Sequence, residues 1–106
     1  MSNEMTLEPA VPRRAEAMVI SDPGSAALVG LLEPALLAIA GRDREVAMTY
    51  LNLVFAGSPG IGDRVRISAW IERATRTLVF ATAEIRHETD DRLIVAGQAV
   101  LKVISE

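Results

Sequence analysis

From Ala26 to Ala40 the chain reads AALVGLLEPALLAIA, apolar on nearly every side and interrupted only by one charge, Glu33, and one proline, Pro34. Alanine and leucine are good helix formers. A helix lying on a surface shows a broad polar face, and this segment has none, so it is expected to be buried on most of its faces. It falls short of the roughly 20 apolar residues that cross a bilayer, which leaves a protein interior as its destination. Ser21, Asp22, Pro23 and Gly24 are turn and helix-start residues, so a helix should begin at Ser25, and Gly41 supplies its stop. Pro34 lacks an amide hydrogen and is expected to kink the helix or to begin a second one, right beside Glu33.

The rest of the chain has to wrap that helix. Ala17 to Ile20 (AMVI) is short enough for one strand. Glu45 to Ala56 (EVAMTYLNLVFA) is rich in β-formers. Arg64 to Glu72 (RVRISAWIE) alternates, with Val65, Ile67, Ala69 and Ile71 on one face and Arg64, Arg66, Ser68 and Trp70 on the other. Arg76 to Glu88 and Arg92 to Ile104 follow as two more long strands, joined by short polar turns at Arg73 to Thr75 and Thr89 to Asp91. GSPGIG, Gly57 to Gly62, leads from strand to strand rather than from strand to helix, so it reads as a hairpin loop and not as a phosphate loop. A strand, a helix and then four antiparallel strands make an α+β domain, not alternating βαβ units.

The chain has 106 residues, enough for one domain, read as residues 15–106 behind a loosely held tail, Met1 to Arg14. That tail carries Glu4 and Glu8 and two prolines and lacks the basic start and apolar run of a secretory signal. Half of the side chains are hydrophobic. A small domain cannot bury them all, and the surplus points to self-association. A net charge of −3 with both signs interspersed gives no footprint for nucleic acid or an anionic membrane, and neither partner is expected. The absence of cysteine excludes disulfides and a thiol nucleophile and is compatible with a reducing cytoplasm, where the protein is expected to reside. A metal site would need more than one histidine or a convergent carboxylate set, and Asp90 and Asp91 read as turn residues.

LNLVFAGSPGIGDRVRISAW (Leu51 to Trp70), RTLVFATAEI (Arg76 to Ile85) and LIVAGQAVLKV (Leu93 to Val103) resemble the sheet half of the hotdog thioesterase superfamily, in particular its phenylacetic-acid-type and hydroxybenzoyl-CoA thioesterase branch. That branch shows a Leu-Asn-x-x-Phe strand, a Pro-x-x-Gly-Asp loop, Arg-Thr-Leu-x-Phe and a last strand with Val-Ala-x-Gly. The resemblance, over about Ser25 to Ser105, implies a hotdog fold: a long central helix wrapped by an antiparallel sheet, assembled as a homodimer or homotetramer.

It also implies a site. Family members carry His-Gly-Gly at the start of the central helix and an acidic residue eight positions after the first of those glycines. Here Glu33 stands eight after Ser25, and Gly24, Ser25 and Ala26 occupy the His-Gly-Gly positions. The resemblance implies that a backbone N–H at Ser25 polarises a thioester carbonyl while Glu33 acts as general base or nucleophile. The physics agrees: a helix N-terminus presents unpaired donors where an oxyanion develops, and a carboxylate in an apolar groove can be tuned toward such work. The amides survive the loss of His-Gly-Gly; the histidine and the glycines' close backbone approach do not. Glu33 also has a structural reading, facing solvent at a dimer edge or bonding backbone freed by Pro34.

Gly24 and Asn52, the family's strand asparagine, are the substrate-binding candidates, joined by Arg73 and Arg76, which could hold the phosphates of coenzyme A. Each has an ordinary alternative: local backbone bonding for Asn52, solvation for the arginines. His87 is expected to be solvent-exposed, and its distance in sequence from Glu33 argues against the hotdog dehydratases. Trp70 either anchors an oligomer contact or packs under the tail. Two functions stay open: an acyl-CoA thioesterase with its groove between two subunits, needing no cofactor beyond the coenzyme A of its substrate, or a non-catalytic hotdog dimer that binds an acyl-CoA or another apolar ligand.

Overall fold

The structure is a computed structural model that describes residues 13–105. Strand β1 spans Arg13–Val19, helix α1 Ser25–Ala40, β2 Glu45–Phe55, β3 Arg64–Ala74, β4 Leu78–His87 and β5 Leu93–Ser105. Of the expected tail, residues 1–12 lie outside the described residues. β1 starts four residues before the expected Ala17, because its antiparallel pairing with β3 runs back to Arg13 opposite Trp70.

The five strands form one antiparallel sheet in the order β1-β3-β4-β5-β2. Alternation puts Val65, Ile67 and Ala69 of β3, Val79, Ala81, Ala83 and Ile85 of β4, and Ala99 and Leu101 of β5 on one face, and all are buried. Helix α1 lies on that face and packs Leu28, Leu32, Leu36 and Ile39 into the same core. Each such leucine or isoleucine stabilises the fold by about 1.5–3 kcal/mol through the apolar area it removes from water. Gly97 lets the helix come close, since a Cβ there would meet Leu53, Leu32 and Leu51 at 3.3–3.5 Å.

Three expectations are corrected. The Gly57–Gly62 segment does not close a hairpin: β2 pairs with β5 at one edge, and the loop carries the chain across the sheet end to β3, next to the opposite edge. The same glycines and proline serve a hairpin or a crossover, and the choice is made by the non-local pairing of β2 with β5. Ala56 and Gly57 donate to the Ile94 carbonyl (2.8 and 3.1 Å), Asp63 accepts from the Gly60 amide (2.7 Å), and Gly62 donates to the Ile20 carbonyl (2.8 Å). Secondly, no second helix begins at Pro34: α1 runs through it as one element. Gly30, whose carbonyl loses its in-helix donor to the proline, is exposed, so water can take the orphaned acceptor. Thirdly, α1 is not buried on most faces. Leu28, Leu32, Ala35, Leu36, Ile39 and Ala40 are buried, whereas Ala26, Gly30, Glu33, Pro34 and Leu37 are exposed. Among the described residues no helix is long and apolar enough to cross a membrane.

Candidate functional site

The start of α1 is chemically open. Gly24 occupies the cap position with extended backbone and has no side chain to give the first helical amides. The Asp22 carboxylate, the nearest candidate cap, instead accepts from the Gly24 N–H (2.9 Å). Among the described residues nothing accepts from the first-turn amides of exposed Ser25 and Ala26, at the positive end of the helix dipole.

Glu33 sits two turns further along and is exposed in the single chain. Its direction follows from helical geometry. Leu31, Pro34 and Ala35 line a small cavity with Met18 of β1 and Ile67, so that side of α1 faces the β1 edge. Two residues on from Leu31, Glu33 is turned by about 200° and projects from the opposite flank, toward the β2 side, in line with Ala26, Val29 and Leu37. At a rise of about 1.5 Å per residue, the eight residues between Ser25 and Glu33 separate them by about 12 Å along the axis. One chain does not bring them together on one carbonyl carbon.

The remaining candidates lie elsewhere. Asn52 pairs with Gln98 on the sheet face turned away from α1, the face that also carries Thr82 and Trp70. Arg73 stacks its guanidinium over the Phe80 ring at 5.2 Å. Arg76 stands in the β3–β4 hairpin, and that hairpin sits at the C-terminal end of α1, where Arg44 donates to the Thr75 carbonyl (2.9 Å). Ser25 lies at the other end of a 16-residue helix, about 24 Å away. Within one chain neither arginine joins the helix start, nor does Asn52 join Glu33.

His87 departs from its expected exposure. Its side chain is 13% accessible, with Nδ1 3.9 Å from the Asp63 carboxylate. It ends β4 on the inner, core-facing side, in register with Val65, and that position covers it. Trp70 donates its indole N–H to Glu72 (2.7 Å) on the outer sheet face. Among the described residues no group of His, Asp and Glu gathers that could hold a metal ion.

A family model for the thioesterase superfamily matches residues 26–94. Searching curated protein sequences returns no significant match. Solved structures do resemble the chain. Thioesterase superfamily member 2 of zebra fish is 18% identical, with 87% of this chain and 75% of that one covered and a TM-score of 0.78. The Escherichia coli PaaI protein from the phenylacetic acid degradation operon is 11% identical, with coverage of 88% and 73% and a TM-score of 0.80. A hypothetical thioesterase of Streptococcus pneumoniae, solved with coenzyme A, is 10% identical, with coverage of 89% and 80% and a TM-score of 0.79. Identities this low establish a common fold, the hotdog arrangement of one helix on a five-stranded antiparallel sheet.

Proposed function

The chain belongs to the thioesterase superfamily, and on that premise we propose that it hydrolyses a small acyl-CoA thioester in a groove completed between two copies of itself. The observation that carries the reading is the placement of Glu33. It is the one charge on an otherwise apolar exposed flank of α1, on the side of β2. Carboxylates are seldom set among apolar neighbours without a partner or a task. β2 is an eleven-residue strand at the edge of the sheet, with no described strand on its outer side, and Tyr50, Val54 and Phe55 along it are exposed. An edge of that length invites a second strand, and a two-fold partner on β2 would cover Leu37 and its neighbours at the same time.

The two-copy arrangement also answers the distance problem. The Ser25 amide and Glu33 of one chain are about 12 Å apart along the helix, too far for one reacting carbonyl, so the second copy has to supply one of the two. In the reaction, Glu33 takes a proton from a water whose oxygen attacks the thioester carbon, or attacks that carbon itself to give an anhydride that water then opens. The carbonyl oxygen gathers negative charge against the amides of the helix start, the C–S bond breaks, and the thiolate leaves with a proton. The coenzyme A named in the solved Streptococcus pneumoniae relative supports a thioester of that class.

A second reading is favoured by one feature: Gly24, Ser25 and Ala26 replace the His-Gly-Gly that the family carries. In it the same groove binds an acyl-CoA or another apolar ligand without hydrolysis. A hydrolysis screen over aliphatic and aromatic acyl-CoAs, run with wild type and Glu33→Gln, separates the two. The thioesterase reading expects turnover that falls at least about a hundredfold in Glu33→Gln with the fold intact, while Ser25→Ala, which keeps its amide, changes little. Saturable binding without turnover supports the second reading. Equal turnover by wild type and Glu33→Gln removes Glu33 from the chemistry.

A further inference from the structure

The face of the sheet turned away from α1 carries two side-chain rows that cross the strands. One runs through Trp70, Thr82, Gln98 and Asn52, which are cross-strand partners in that order. The next runs through Arg73, Phe80, Val100 and Tyr50, partners in the same way. The first row is polar and the second is largely apolar and aromatic. A groove of about 290 Å³ lies between them, with Tyr50, Phe80 and Val100 on one side and Glu72, Thr82 and Gln98 on the other.

The polar side is preorganised. Thr82 is the buried polar residue of the described core, 6% exposed, and donates its hydroxyl to Oε2 of Glu72 (2.9 Å). The Trp70 indole donates to the same oxygen (2.7 Å). Two donors on Oε2 fix the carboxylate and leave Oε1 with no bond to any described residue, open to a third donor. A residue whose task was only to satisfy Thr82 and Trp70 would not need a full negative charge, nor a position on the rim of a cavity.

We infer that this outer groove is a second ligand site, for a small planar aromatic molecule that carries an N–H donor, with its ring against Phe80, Val100 and Tyr50 and its donor on Oε1 of Glu72. The size agrees: a cavity of about 150 Å³ holds one benzene ring, and sites for larger ligands begin near 300 Å³, so this groove takes one substituted ring. The Glu72 charge selects against aromatic carboxylates, and the Arg73 guanidinium stacked over Phe80 at 5.2 Å does not itself line the groove. Gln98 adds an amide that both donates and accepts beside the ring. The site lies on the opposite sheet face from Glu33 and stands or falls independently of the thioester reading.

The chain's one tryptophan makes the test direct, because its single indole N–H resonance reports the Trp70–Glu72 bond. Benzamidine and benzoate, equal in shape and opposite in charge, are titrated into the full chain while that resonance is followed. A saturable benzamidine shift, with benzoate at least about tenfold weaker, is expected, and Glu72→Gln should abolish the preference while keeping the indole bond. Equal binding of the two probes, or an unchanged preference in Glu72→Gln, overturns the site. So does no benzamidine shift, and if Phe80→Glu then lowers the mass of the assembly, a second copy occupies this face instead.

Discussion

The two flanks of helix α1 are built from the same kinds of residue and meet different fates. On the flank toward β1, Leu31 and Ala35 are half-buried and buried and share a small cavity with Met18 and Ile67, while Pro34 at its rim is exposed. On the flank toward β2, Ala26, Glu33 and Leu37 face outward and are exposed among the described residues. An edge strand covers the first because β1 pairs with β3 and brings Met18 to the helix. β2 lies at the far side of β5, and its exposed Tyr50 and Val54 are on the sheet face turned away from α1 rather than over the bare flank. A single chain therefore finishes half of its helix's burial, and the half left open is the one that carries the carboxylate.

Substitutions along the helix sharpen that difference. The largest effect belongs to the shared core: Leu32, fully buried, should lose about 3 kcal/mol of stability on replacement by alanine, within the range for leucine deletions in well-packed interiors, as read from urea unfolding. Next come the flanks themselves. Leu31→Asp puts a charge under β1 and should lower stability equally at every protein concentration. Leu37→Asp puts one on a surface that a second copy would cover, so the monomer should remain folded while the assembly dissociates, seen as a lower mass and a concentration-independent melting temperature. If both act alike, the flanks do not differ as described.

The smallest effect lies far from the helix. The backbone amide of Arg92 donates to Asp90, and with the Arg92 side chain it holds this carboxyl below its ordinary range against the opposing effect of desolvation. A depressed carboxyl stabilises the fold above the unfolded value of about 3.9 and loses that contribution as the pH falls through the folded value. Asp90→Asn should therefore be slightly less stable than wild type at neutral pH, with the gap closing in strong acid. A gap that widens on acidification would contradict the assignment.

Much of this was legible in the chain. The AALVGLLEPALLAIA run announced the helix, and the alternation of Val65, Ile67 and Ala69 identified the face that packs on it. Glycine and proline in GSPGIG marked a loop but not its destination, since pairing between β2 and β5 is decided by residues forty or more apart. Pro34 does not begin a second helix, because the carbonyl it leaves without a donor belongs to Gly30, which is exposed to water. The outer groove was harder still. Trp70 stood out as a large aromatic on a polar face, yet what it holds is Glu72, and only the folded sheet brings Thr82 of the neighbouring strand to the same carboxylate oxygen. The spacing of Ser25 and Glu33 was visible as eight residues; that eight helical residues place them too far apart to serve one carbonyl follows once the helix is known to be continuous.

The claim on which the rest depends is that the bare flank of α1 and the β2 edge are completed by a second copy. Multi-angle light scattering of the full chain at micromolar concentration measures it directly. The account predicts a mass of twice the 11.4 kDa chain or a higher even multiple, falling to the single-chain value in Leu37→Asp. A wild-type mass of 11.4 kDa across that range would contradict it, and would leave the Ser25 amide and Glu33 with no common substrate to act on.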